Sequence, residues 1–206
     1  MLEVGLVLAH FTLVVGYHGC DRSVGERVLL GQEELSPKTN PWDWLGTGIY
    51  FWEGSARRAL AFAEEKKRRG WGDNPIVEPY VIGAYINLGN CFDLTDIEAV
   101  REIPAHHQLL LKTLVEAGKS IPVNKSPRGE DQHDLVLRNL DCMVMNFTMR
   151  EFDSKASEGS SLYYQTVRGV FVEGDPVYEG ARIYEKTHVQ IAVRDPSSII
   201  GYFRPS

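Results

Sequence analysis

Two short stretches carry residue types suited to chemistry. The first is Tyr17-His18-Gly19, at the end of the β-rich run Phe11-Thr12-Leu13-Val14-Val15-Gly16. An imidazole titrates near neutral pH, and a residue without Cβ lets backbone approach a ligand. The second is Trp42-Asp43-Trp44-Leu45-Gly46-Thr47-Gly48-Ile49-Tyr50-Phe51-Trp52. Gly46 and Gly48 bracket one threonine, and the run after them has strand composition. Ser55 then caps a helix on which Ala56, Leu60 and Ala63 recur at helical spacing. This is either a tight ligand-facing corner or a strand-to-helix junction whose aromatics belong to the core. A lone His18 at a strand end, or a lone Tyr50, reads as structural. Late in the chain, His188 and Gln190 stand two apart on an expected strand and so share a face. Glu179 and Glu185 precede them as carboxylates able to act as bases. His106-His107 reads as the surface start of a helix, with no third ligand at metal spacing.

The elements that position these residues alternate irregularly. A helix is expected over 21–31, loop over 32–46, strand over 47–52 and helix over 54–69. A turn follows at 70–75, then a β-rich segment at 79–88 and a turn at Gly89-Asn90. Residues 95–118 read as helix, broken or restarted near Pro104. The longest helical pattern is 131–152, with Val136, Leu140, Met143 or Val144, and Phe147 in one stripe. Strands are expected at 163–172, 189–193 and 199–203, with a glycine- and proline-bearing loop at 173–187. Strands at both ends and in the middle, with helices between, give an α+β arrangement. No GxGxxG follows a strand and no GxxxxGK[ST] occurs, so neither a Rossmann-type dinucleotide fold nor a P-loop is indicated.

The chain has 206 residues, 43 % hydrophobic and 24 % charged, with a net charge of −6. That suits one soluble domain, 1–206, with a helical insert at about 95–152. Nothing advertises a membrane or nucleic-acid surface, although Lys66-Lys67-Arg68-Arg69 forms a local basic patch at an expected helix end. Cys20, Cys91 and Cys142 lie far apart without a CxxC pair, which favours reduced thiols and a cytoplasmic setting. The apolar amino terminus, from Met1 to Val15, lacks a basic leader region and reads as a first strand.

Taken in order, Tyr17-His18-Gly19, then Gly46-Thr47-Gly48-Ile49-Tyr50-Phe51 with its helix, then Gln190 ahead of Asp195-Pro196-Ser197-Ser198-Ile199-Ile200-Gly201-Tyr202-Phe203, resemble the ADP-ribosyltransferase superfamily. The resemblance is to the poly(ADP-ribose) polymerase and diphtheria-toxin-like branch, which carries a His-Tyr-Glu triad, and within it to small bacterial members. It implies a split, mostly antiparallel β core with inserted helices, NAD as co-substrate and no metal. It implies that His18 bonds the nicotinamide ribose, Gly19 holds the carboxamide, and Tyr50 stacks on the nicotinamide ring. Gly48 and Ser55 complete the NAD-contacting set. Gln190 occupies the position of the usual glutamate. A glutamine can hydrogen-bond a ribose hydroxyl but cannot act as a general base. Polymer formation is therefore not expected.

Mono-ADP-ribosyl transfer to a protein or nucleic-acid acceptor is the leading expectation, with His188 meeting the acceptor and taking its proton. Transfer of this kind suggests a toxin or defence effector and, by analogy, a neutralising antitoxin partner. The rivals are a catalytically silent NAD or ADP-ribose binding module, favoured by Gln190, and an NAD glycohydrolase. A nucleic-acid modifier using Lys66 to Arg69 and Arg150 for phosphates is a further one.

Overall fold

The computed structural model describes residues 11–70, 75–126, 135–156 and 163–206. Expectations for the first ten residues, for the middle of the turn at 70–75 and for the helix start at 131–134 lie outside them. The chain runs β1 (Leu13–Asp21), α1 (Arg22–Leu29), β2 (Ile49–Glu53), α2 (Ala56–Arg69), β3 (Pro79–Asn87), β4 (Cys91–Asp93), α3 (Ile97–Glu116), α4 (Asn139–Lys155), β5 (Thr166–Phe171), β6 (His188–Val193) and β7 (Ile199–Phe203). The α+β class is therefore as read from the sequence.

Among the described residues all strands join one seven-stranded sheet in the order β4-β5-β6-β2-β1-β3-β7. Every pairing is antiparallel except β4 with β5. The sheet is narrow at one seam. β1 and β2 register only at Gly16 with Glu53 and Tyr17 with Trp52. By contrast, β1 and β3 stay in register from Leu13 with Asn87 to Asp21 with Pro79. Past the seam β1 continues paired with β3 but no longer with β2, which carries His18 and Gly19 off the β2 ladder.

Alternation along the central strands separates two cores. Ile49, Phe51, Ile191 and Val193 pack with Ala84, Ile86 and Leu88. Ala192 packs with Leu45, Phe92, Val167 and, from α4, Met145, Met149 and Phe152, with Tyr50 against the cluster. The helical insert is thus part of the core. α3 completes it by packing Leu110 and Leu114 onto Val144 and Phe147.

Local chemistry sets the helix limits. Ser55 caps α2 by accepting from the Arg58 N–H at 3.3 Å, and Gly70 ends it at φ 64°, a left-handed position that favours glycine. α3 continues through Pro104 as one helix; the ring removes one donor without stopping it. His106 is buried inside α3 with its ring edge-on to Phe152 at 5.1 Å, so the surface reading of His106 is corrected. α4 begins at Asn139, because Asn124 Oδ1 accepts the N–H groups of Leu140 at 2.9 Å and Asp141 at 3.3 Å. Val136 and Leu137 lie ahead of it, where Leu137 bridges Lys125 in an extended segment.

Candidate active site

The seam between β1 and β2 opens into a cavity of about 1100 Å³, slightly above the usual range for small-molecule sites. His18, Gly19, Tyr50 and Gln190 all line it, so residues separated by up to 172 positions in sequence meet at one place.

His18 uses the gap left by the parted strands. Its Nδ1 lies 2.8 Å from the Tyr50 carbonyl oxygen. A carbonyl only accepts, so Nδ1 carries the hydrogen and donates. Burial lowers the His18 pKa most, against the raising effect of that carbonyl, and the positive charges of Lys66 and Lys38 lower it further. The ring is therefore neutral at pH 7, with Nε2 as a hydrogen-bond acceptor.

Tyr50 is held by its own loop. Its hydroxyl accepts from the Leu45 N–H at 3.0 Å and donates to the Gly46 carbonyl at 2.8 Å. Burial, then the Asp43 charge, pushes its pKa well above the usual value. The hydroxyl is committed, which leaves the ring as a fixed aromatic surface. The loop is anchored in turn: Gly46 takes φ 85°, with Asn146 Oδ1 2.8 Å from where a Cβ would stand. That same oxygen accepts the Thr47 N–H at 2.8 Å.

Gln190 has a defined orientation. The Trp44 indole N–H donates to its Oε1 at 2.6 Å. An indole N–H only donates, so the amide oxygen faces Trp44 and the Nε2 hydrogens are turned away from it. Trp44 can lie there because Gly169 has no side chain; a Cβ would come 2.6 Å from Trp44 Cη2. Phe171 packs against the same indole at 5.3 Å.

The other sequence candidates fall elsewhere. Gly48 is not on the cavity wall: a Cβ there would stand 3.0 Å from Ala192 Cβ and 3.1 Å from the Val193 oxygen. Its smallness serves close pairing of β2 with β6. Ser55 is likewise off the wall, as the α2 cap. His188 shares the sheet face of Gln190 but is buried at 7 % exposure and does not line the cavity. Its Nδ1 donates to the Lys186 carbonyl at 2.6 Å, and its ring lies between Trp52 and Phe171. Burial lowers its pKa to about 4. The spacing argument found the face and missed the depth, so contact of His188 with an acceptor is not what this geometry offers. Glu179 and Glu185 are exposed and off the wall.

Several wall residues were not singled out from sequence. Trp44, Asp43 and Lys38 come from the loop ahead of β2, and Arg58 and Phe62 from α2. Glu173 comes from the loop after β5. Trp52, which its place beside the glycine-bracketed motif marks from sequence as either packing or cleft lining, does both: it lines the cavity and packs on Phe62 at 4.8 Å. Arg58 pairs with Glu173 at 2.9 Å, Lys186 reaches Glu173 at 3.6 Å and Glu65 at 3.8 Å, and Arg69 reaches Glu65 at 2.6 Å. The basic end of α2 thus contributes Lys66 and Arg69 to the cavity. Arg150 lies in a different, smaller cavity of about 260 Å³ with Asp153, Tyr163 and Arg194. Among the described residues no group of three His, Cys, Asp or Glu side chains is placed to hold a metal. No described helix is long and apolar enough to cross a membrane.

No protein-family model matches the chain. No solved structure matches it. The chain is similar to an uncharacterized protein of Methanocaldococcus jannaschii, 26 % identical over 199 residues that cover 89 % of this chain and 83 % of the relative.

Proposed function

We propose that the protein is an NAD-dependent ADP-ribosyltransferase, and that the cavity at the β1–β2 seam binds the nicotinamide half of NAD. The observation that carries the proposal is the convergence of His18, Gly19, Tyr50 and Gln190 on one cavity from three separated strands. The fit is chemical. His18 Nε2 accepts from a ribose hydroxyl, and the Gln190 amide donates to a ribose oxygen. The Tyr50 ring offers a planar face to a planar heteroaromatic. Lys38 and Lys66 bring positive charge for an anionic co-substrate.

These residues bind and orient. Clamping the ring and the ribose on fixed groups aligns the glycosidic bond with an incoming nucleophile, and such positioning is a large part of catalysis in bond exchange of this kind. Neither Tyr50 nor His18 acts on the nicotinamide leaving group as an acid: the Tyr50 hydroxyl is occupied and His18 is neutral.

The orientation of Gln190 favours a second reading, a silent NAD or ADP-ribose binding module, because the third triad position offers no carboxylate. Nicotinamide release from NAD, with and without cell lysate, separates the readings. Release that needs lysate identifies a transferase and labels its acceptors. Equal release without lysate identifies a glycohydrolase. Binding without release leaves the module.

A further inference from the structure

We infer that Asp43 is the general base of this site, taking the proton of a neutral hydroxyl acceptor. The inference rests on the transferase reading above. It starts from what the third triad position lacks. Gln190 cannot accept a proton, and His188, Glu179 and Glu185 do not reach the cavity. Among the described residues six acidic side chains line it: Asp21, Glu33, Glu34, Asp43, Glu65 and Glu173. Glu33, Glu65 and Glu173 are held by arginine or lysine partners. Asp21 is consumed by the backbone N–H groups of Ser23, Val77 and Glu78 and by the Ser23 hydroxyl. Glu34 is exposed to solvent in the loop after α1.

Asp43 differs in place and in partners. It is the immediate neighbour of Trp44, whose indole holds Gln190. Its own turn is fixed: the Gly46 N–H donates to the Asp43 carbonyl at 2.7 Å, and the Asp43 N–H to the Asn40 carbonyl at 3.2 Å. The carboxylate accepts from Asn40 Nδ2 at 2.9 Å on Oδ2 and from the Asn40 backbone N–H, and no ion pair holds it among the described residues. The titratable groups that face it are Lys66 from α2, the Tyr50 phenol on β2 and the Cys142 thiol on α4. Burial raises its pKa to about 6, against the lowering effects of Asn40 and Lys66. A base poised just below neutral pH is ionised when needed and still basic enough to take a proton.

The step balances as follows. The bond between ribose C1′ and the nicotinamide nitrogen breaks, and its electron pair neutralises the pyridinium. A lone pair on the acceptor oxygen forms the new bond to C1′. The acceptor's proton passes to the Asp43 carboxylate. The step requires an acceptor that carries a proton on its attacking atom, such as the hydroxyl of water or of a macromolecule, and not a carboxylate, which has no proton to lose at neutral pH.

The test uses Asp43→Asn, Asp43→Glu and wild type, with NAD, and with methanol or sodium azide as added nucleophile. In wild type the rate of nicotinamide release rises with pH around a midpoint near 6. Asp43→Asn lowers release at pH 7.5 by about 10²–10³-fold and removes that rise, while NAD affinity stays within about 3-fold. Azide, which needs no proton removed, restores release in Asp43→Asn; methanol does not. Asp43→Glu keeps part of the wild-type rate. Wild-type rates in Asp43→Asn, or a loss that azide does not rescue, overturn the assignment of Asp43 alone. Absence of release from wild type with water, methanol, azide and cell lysate alike overturns it together with the transferase reading.

Discussion

Replacing Gly19 with alanine separates two reasons for a glycine after His18. The resemblance assigns Gly19 to the nicotinamide carboxamide, whereas the packing gives it a second duty. A Cβ at Gly19 would stand 2.2 Å from the Ala59 carbonyl oxygen of α2, where ordinary contact begins at 3.4 Å. The obstacle is backbone, so no rotamer relieves it, and α2 must retreat by the difference, about 1.2 Å. Ala59 and Ala63, both fully buried, would lose contact with the sheet. Overpacking of this kind costs about 3 kcal/mol. For a chain of this length that lowers Tm by about 6–12 °C. Because Arg58, Phe62, Glu65 and Lys66 ride on the same helix and line the cavity, NAD affinity falls with it. Gly31→Ala is the control: Gly31 has φ 68° and open space around it, so it costs only about 1 kcal/mol of backbone strain and spares the site. The assay is urea unfolding and thermal melting of both variants. A Gly19→Ala protein that melts within 2 °C of wild type, by the same scale of about 2–4 °C per kcal/mol, would refute the packing argument.

Further outcomes follow from the site. Tyr50→Phe strands the buried Leu45 N–H and the Gly46 carbonyl, so urea unfolding shows a loss of about 1–2 kcal/mol. NAD affinity by calorimetry changes less than about 3-fold, because the ring remains; a large loss of affinity would mean that the hydroxyl meets the ligand. His188 and Asp43 give opposite pH slopes. His188 has a folded pKa of about 4 against an ordinary 6.5, so its contribution is present above pH 6.5 and is lost as pH falls toward 4. Between pH 7 and 4.5 that loss is about 2–3 kcal/mol. Asp43, raised to about 6, does the reverse: its contribution is present below about pH 3.9 and is lost as pH rises through 6. In unfolding titrations, His188→Phe therefore gains on wild type as pH falls, and Asp43→Asn loses on it. Parallel profiles for the three proteins would contradict both assignments.

The class of fold and the strand-to-helix corner that carries Tyr50 were legible because they depend on local pattern. The run Ile49-Tyr50-Phe51-Trp52 has a strand's composition, and Ser55 with the alanines after it forms the capped helix expected. The start of α4 was misplaced because its cap comes from Asn124, fifteen residues upstream of Asn139 in a loop. No periodicity reports a remote cap. His188 shows a related gap: strand alternation gives the face of a residue but not its depth. Trp52 and Phe171 cover that histidine from β2 and β5. The contact of Trp44 with Gln190 spans 146 positions, and Gly169, which makes room for it, looks like any strand glycine. The glycine-bracketed turn was visible. That Gly46 serves the turn and Gly48 the β2–β6 pairing came only from their neighbours in space.

The most direct test of NAD binding at the seam is the melting temperature of wild type and of the His18→Ala, Tyr50→Ala double variant as NAD is raised. At one hundred times its Kd, a ligand that binds only the folded chain stabilises it by about 2.7 kcal/mol, which is about 5–11 °C here. The site described predicts that rise for wild type and none for the double variant at the same NAD. A wild type whose melting temperature does not respond to millimolar NAD, or a double variant that responds equally, would contradict it.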